Sequence, residues 1–174
     1  MYIACTADAR KLMKSAYLED CTAPQETSKF FSWHAHVWPH PFGKIFFLIN
    51  DPTGFPVIFL KPKVSQLKNF HKVAEDAIRE SFSDLGIKSE YIDRYFKKAG
   101  AINLHGKTSR AITSRITQWK NYFLSRLADF EISPFDANKL IQPLMARQLG
   151  FAWSSPDKKT FDEPEILIGK AFSE

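Results

Sequence analysis

Two stretches carry residue types that could do chemistry at a useful spacing. The first is Ser32-Trp33-His34-Ala35-His36. On a strand, side chains two apart share a face, so His34 and His36 would stand about 7 Å apart at the backbone. Two imidazoles placed this way can hold two positions of a metal ion. A third ligand would have to come from His40, His71, His105 or a carboxylate. No Cys or His pair elsewhere has a metal-site spacing, so no metal is expected. The bland alternative is a pair of histidines on the half-wet face of a sheet, beside Trp38, binding nothing. The second stretch is Gly106-Lys107-Thr108-Ser109-Arg110. It shares the Gly-Lys-Thr ending of a nucleotide-binding P-loop, but that loop needs a Gly five positions earlier, where this chain has Ala101. What remains is a helix start with backbone N–H groups, two hydroxyls and two cations, which suits an anion. It reads equally as a capped helix start with solvated cations.

Other candidates are weaker. Cys5 follows an apolar strand and reads as a packed thiol before it reads as a nucleophile. Asn50-Asp51 sits at a hairpin tip, and turn chemistry accounts for both residues. No Ser-His-Asp order, carboxylate pair or glycine-rich dinucleotide fingerprint stands out, and no cofactor is expected. No second strong acid or base lies near His34 in the sequence.

The elements that must position these residues follow from the hydrophobic pattern. Phe31 to Leu60 is the most apolar and aromatic part of the chain and reads as the core of a sheet. In its first strand, Trp33, Ala35 and Val37 share one face and His34, His36 and Trp38 the other. Pro39, His40, Pro41, Phe42 and Gly43 break the run. Ile45 to Ile49 is continuously apolar, as in a strand buried on both faces. Asn50-Asp51-Pro52-Thr53-Gly54 is a strong turn signal, and Phe55 to Leu60 forms the next strand. Short connections favour antiparallel neighbours, hence a meander.

Met1 to Thr6 reads as a short strand, with Thr6 capping a helix that carries Ala9, Leu12, Met13 and Ala16. Asp20 to Lys29 is polar and reads as a loop. A long amphipathic helix is expected over 64–85, with Val64, Leu67, Phe70, Val73, Ala74, Ala77, Ile78 and Phe82 as its apolar stripe, ended by Gly86. A shorter helix runs from Ser89 to Gly100, and 101–105 reads as a strand. A third helix is expected over about 110–130, with Ile112, Ile116, Trp119, Phe123, Leu127 and Phe130 inward. Its cations are scattered around the cylinder, unlike those of a DNA-reading helix. Ser133-Pro134-Phe135-Asp136 starts another helix, which Pro143 kinks or ends. Glu165 to Ile168 reads as a last short strand.

The 174 residues carry 24 Lys and Arg against 19 Asp and Glu, a formal charge of +5. That balance permits nucleic acid or another polyanion as a partner without requiring one. With two cysteines, a disulfide scaffold is not expected. No run approaches the roughly 18 apolar residues of a membrane span, and no secretory signal is visible. A cytoplasmic protein with no membrane role is therefore expected.

Taken in order, Cys5-Thr6 after a short strand, Trp33-His34-Ala35, Lys44 with the apolar run into Asn50-Asp51, the Leu67-to-Phe82 helix and Lys107-Thr108-Ser109-Arg110 form a recognisable series. Through it the chain resembles a family of small bacterial proteins known only as a domain of unknown function. The resemblance covers roughly residues 1–127. It implies a single-domain cytosolic protein and carries no established activity. His36 stands where that family commonly has Asn, which weakens the metal reading further. Residues 128–174 read as a helical or irregular extension packed on the domain: a dimerisation arm, a segment that takes a protein partner, or a lid.

The expected fold is α+β, a mainly antiparallel sheet of four or five strands against two or three helices. If the His34 strand and the Arg110 helix start lie side by side, His34, His36, Lys107, Thr108, Ser109 and Arg110 could line one pocket for a phosphate-bearing ligand, a nucleotide or RNA. One alternative is a metal-independent ribonuclease of toxin–antitoxin type, with His34 as the acid or base and Arg110 stabilising phosphorane charge. Another is a non-catalytic interaction module.

Overall fold

The computed structural model describes residues 1–13, 29–40, 43–60, 67–106, 112–114, 116–117, 119–121, 153–154, 161–162, 168–169 and 172. Its centre is a five-stranded sheet in the order β4-β3-β2-β1-β5. The strands are β1 (Tyr2–Cys5), β2 (Ser32–His40), β3 (Gly43–Asn50), β4 (Pro56–Leu60) and β5 (Asn103–His105). The fold is α+β, as the pattern of elements predicts. The meander β2-β3-β4 is antiparallel, but β1 pairs in parallel with both β2 and β5. The sheet of five strands is therefore mainly antiparallel, as expected, but mixed and not purely so. Turn residues announce tight hairpins in the sequence. The parallel pairs instead use long connections that contain helices, and nothing local marks where such a connection returns.

Helix α1 (Ala7–Met13) follows β1 directly. Thr6 caps it as expected, with the Ala9 N–H donating to Thr6 Oγ1 at 3.4 Å. Helix α2 (Phe70–Asp84) is shorter than the 64–85 stripe suggests. Asn69 leaves helical geometry at φ −116° and ψ 48°, in keeping with the preference of Asn for boundaries. Residues 61–66 lie outside the described residues. Gly86, at φ 78°, closes α2 in the left-handed region where glycine carries no penalty. Helix α3 (Ser89–Ala99) follows. Arg79 ties α2 to α3 by bonding Glu75 at 2.8 Å and Asp93 at 2.7 Å, with its guanidinium over Phe96.

One face of the sheet makes the main core. Ile3, Cys5, Trp33, Ala35, Val37, Phe46, Leu48 and Val57 pack with Phe70, Ala74, Ile78 and Phe82 of α2 and with Ile92, Tyr95 and Phe96 of α3. Trp33 donates its indole N–H to the Tyr95 hydroxyl at 3.0 Å, and Tyr95 donates to the Phe30 carbonyl at 3.1 Å. The alternation in β2 thus puts Trp33, Ala35 and Val37 inside, as expected. The break expected at Pro39 comes later: β2 continues to His40, with Pro39 opposite Lys44. β1 accompanies β2 only as far as Ala35, so Pro39 lies where a missing N–H costs no ladder bond on that side.

Ile168 is buried in the main core and Phe172 packs against it. The strand expected over 165–168 is contradicted at its one described residue, since Ile168 is helical. Strands β6 (Trp153–Ser154) and β7 (Phe161–Asp162) form a small separate hairpin. The helix expected at Ser133 lies outside the described residues. No helix among the described residues is long and apolar enough to cross a membrane.

Candidate functional site

The opposite face of the sheet divides into two halves. Toward β3 and β4 it is apolar: Trp38, Ile45, Phe47, Ile49 and Ile58 are buried there. Trp119 packs on Phe47, with ring centroids 6.2 Å apart, and shares a helical stripe with buried Ile112 and Ile116. Toward β1 and β5 the same face is polar. Parallel register aligns Ser32, Tyr2 and Asn103 in one row and His34, Ala4 and His105 in the next. Ala4 is small and buried, so it forms a low floor between two imidazoles. Two strand spacings of about 4.8 Å separate the histidines at the backbone.

His34 is only 5% exposed, so the half-wet face envisaged for it is in fact covered. Its Nδ1 lies 2.5 Å from Asp51 Oδ1, and the Ser32 hydroxyl donates to Asp51 Oδ2 at 2.5 Å. A carboxylate only accepts, so His34 Nδ1 donates this hydrogen bond to Asp51. The turn that holds Asp51 is itself fixed. Asn50 is fully buried and donates to the carbonyls of Phe30 and Ser32, while its Oδ1 accepts from Thr53 Oγ1 at 2.7 Å. The Asp51 N–H donates to the Ser32 carbonyl at 2.9 Å. Turn chemistry explains Asn50 but not the side chain of Asp51. No sequence signal could have found that contact, because Asp51 is also what such a turn requires.

His36 shares the face, half-buried, its ring 5.3 Å from that of Trp38. Its Nδ1 is buried with no hydrogen-bond partner. Burial pushes its pKa down, Asp8 opposes that and Lys120 adds to it. His36 is therefore neutral at pH 7 and offers a ligand a hydrogen bond, not a charge. Cys5 is sealed in the core with its thiol pushed up to about 12, which leaves it protonated and unreactive.

Lys107, Thr108, Ser109 and Arg110 lie outside the described residues. Chain order places them directly after β5 and Gly106. At Gly106 the structure adds a cation that sequence reading missed. The Arg10 guanidinium lies against Gly106 so closely that a Cβ there would meet Nη1 at 2.8 Å and Cζ at 3.3 Å. Arg10 Nε is buried with no hydrogen-bond partner, and no carboxylate pairs with Arg10 among the described residues. In the sequence Arg10 is one more surface cation on a short helix. Among the described residues no three His, Cys, Asp or Glu side chains gather as a metal set.

Comparison with known proteins identifies a family. The family model described as a domain of unknown function, DUF6933, matches residues 2–164. The match reaches beyond the 1–127 suggested by the motifs. No curated protein and no solved structure matches the chain.

Proposed function

The chain belongs to the DUF6933 family, a domain of unknown function, and we propose that it binds a phosphate-bearing ligand, a nucleotide or RNA, at the polar half of the sheet where β1, β2 and β5 run parallel. The observation that carries this reading is Arg10 over Gly106. A guanidinium with a buried, unpartnered N–H beside the end of β5 is a cation awaiting an anion. By chain order it adjoins Lys107, Thr108, Ser109 and Arg110. The ends of parallel strands are also where open α/β sheets take their ligands. His34 and His36 stand on the strand next to β1 and complete the proposed lining.

The test is titration of the protein with nucleotides and a short RNA by calorimetry. Arg10→Ala and Arg110→Ala should each weaken binding about tenfold or more, since a hydrogen bond to a charged group is worth roughly 1.5–3 kcal/mol. Gly106→Ala should weaken binding by displacing the guanidinium, with little change in melting temperature, because the added methyl meets a flexible side chain and Gly106 has no positive φ. Absence of binding by the wild type, or wild-type affinity in all three variants, refutes the reading.

A further inference from the structure

We propose that the exposed face of α3 is a landing surface for single-stranded RNA, with Arg94, Lys97 and Lys98 on its phosphates and Tyr91 beside a base. This surface is separate from the polar half of the sheet, and it rests on the phosphate-binding reading only for the chemistry of the ligand. Helix α3 buries Ile92, Tyr95, Phe96 and Ala99, which turns its opposite face to solvent. At about 100° per residue, Tyr91, Arg94, Lys97 and Lys98 share roughly a third of its circumference. Arg94, Lys97 and Lys98 are exposed, and none of them pairs with a carboxylate among the described residues. Two acids lie on the same helix. Asp93 is held by Arg79 at 2.7 Å, and Glu90 sits in the first turn, where a helix favours an acid.

Lysines in a last helical turn commonly serve the terminal carbonyls. Here the Met1 amino group does so, donating to the carbonyls of Ala99 and Ala101. The lysines are therefore not needed at those carbonyls. The Arg94 guanidinium lies 5.4 Å from the centroid of the half-buried Tyr91 ring. Aromatic rings and guanidinium planes are the surfaces on which proteins stack unpaired bases. A duplex hides its base faces, so this pair suits a single strand. Arg94 and Lys98 stand about one turn apart, roughly 6 Å along the axis, so they can meet successive phosphates of a strand running beside the helix. An acidic protein segment would use the same cations but gain nothing from Tyr91.

The experiment is fluorescence anisotropy of the full chain with a labelled oligouridylate, a labelled RNA duplex and a labelled oligoglutamate, over a range of salt. The wild type should hold the single strand most tightly. Arg94→Gln, Lys97→Gln and Lys98→Gln combined should weaken that binding about tenfold or more. The slope of log affinity against log salt should fall by about 2, at roughly 0.7 per phosphate contact. The melting temperature should stay unchanged, since all three side chains are exposed and Gln suits a helix. Tyr91→Ala should weaken binding about fivefold or more at an unchanged salt slope, the signature of lost stacking. Wild-type affinity and slope in the triple variant overturn this inference, as does equal or tighter binding of the duplex or the oligoglutamate. If only Arg10→Ala or Arg110→Ala releases the single strand, the inference falls and the pocket reading stands. If the α3 variants release it while nucleotides fail to bind and Arg10→Ala changes nothing, the pocket reading falls and this one stands. Absence of binding to every probe overturns both.

Discussion

At the scale of single residues, His36 gives the chain a pH-dependent stability that can be measured without knowing a ligand. Its folded pKa lies below the ordinary histidine value because burial disfavours the charged ring. The unfolded chain therefore binds a proton at about pH 6.5 that the folded chain resists. Above that pH the group costs nothing. As pH falls below it, stability is lost progressively through the depressed folded pKa. His36→Asn removes the titration. The melting temperature of the wild type should therefore fall more steeply than that of the variant between pH 7.5 and 5.5. Parallel curves would mean that His36 titrates normally. His34, two residues away on the same face, differs in its contacts: a carboxylate reaches its Nδ1. The alternation that pairs the two histidines in the sequence is silent about that difference.

At the scale of elements, β2 is the strand on which both cores depend. Its inward residues meet α2 and α3, and its outward residues form the polar row. Tyr95 joins α3 to β2 and to the turn before it, accepting a buried hydrogen bond from the Trp33 indole and donating to the Phe30 carbonyl. Tyr95→Phe leaves the Trp33 indole N–H buried without its acceptor, while the Phe30 carbonyl keeps its bond from Asn50. It should cost about 1–3 kcal/mol in urea denaturation, with the m-value unchanged. A cost near zero would mean that the pair is solvated. The helical stripes of α2 and α3 are legible in the sequence because a period of three to four residues is a local property. The interruption at Asn69 is not, since Leu67 keeps its place in the stripe on either side of it.

At the scale of the whole molecule, the C-terminal residues belong to the core. Ile168 is completely buried, and Phe172 packs edge-on against Phe82 at 5.0 Å and obliquely on Tyr95 at 5.5 Å. Deleting residues 168–174 should destabilise the domain by about 2–5 kcal/mol, the range for emptying a buried aliphatic site. Thermal melting of the truncated chain reads this directly, and an unchanged midpoint would refute it. The extension that the sequence sets apart after residue 127 thus contributes side chains to the first domain's interior.

The sequence by itself determined the local pattern. It put Trp33, Ala35 and Val37 on one face and His34, His36 and Trp38 on the other, made Thr6 a cap and Gly86 a helix end, and joined β2, β3 and β4 by short turns. Each of these is settled by residues within a few positions of one another. Only the tertiary structure decided that β1 enters in parallel between β2 and β5. That register sets His34 and His105 on either side of Ala4, and the Arg10 side chain reaches from α1 to Gly106 at the end of β5. The Asn50 turn brings Asp51 to His34 in the same way. These contacts join segments far apart in the chain. They are fixed by which apolar faces bury together, and burial is a property of the assembled sheet, not of any one stretch.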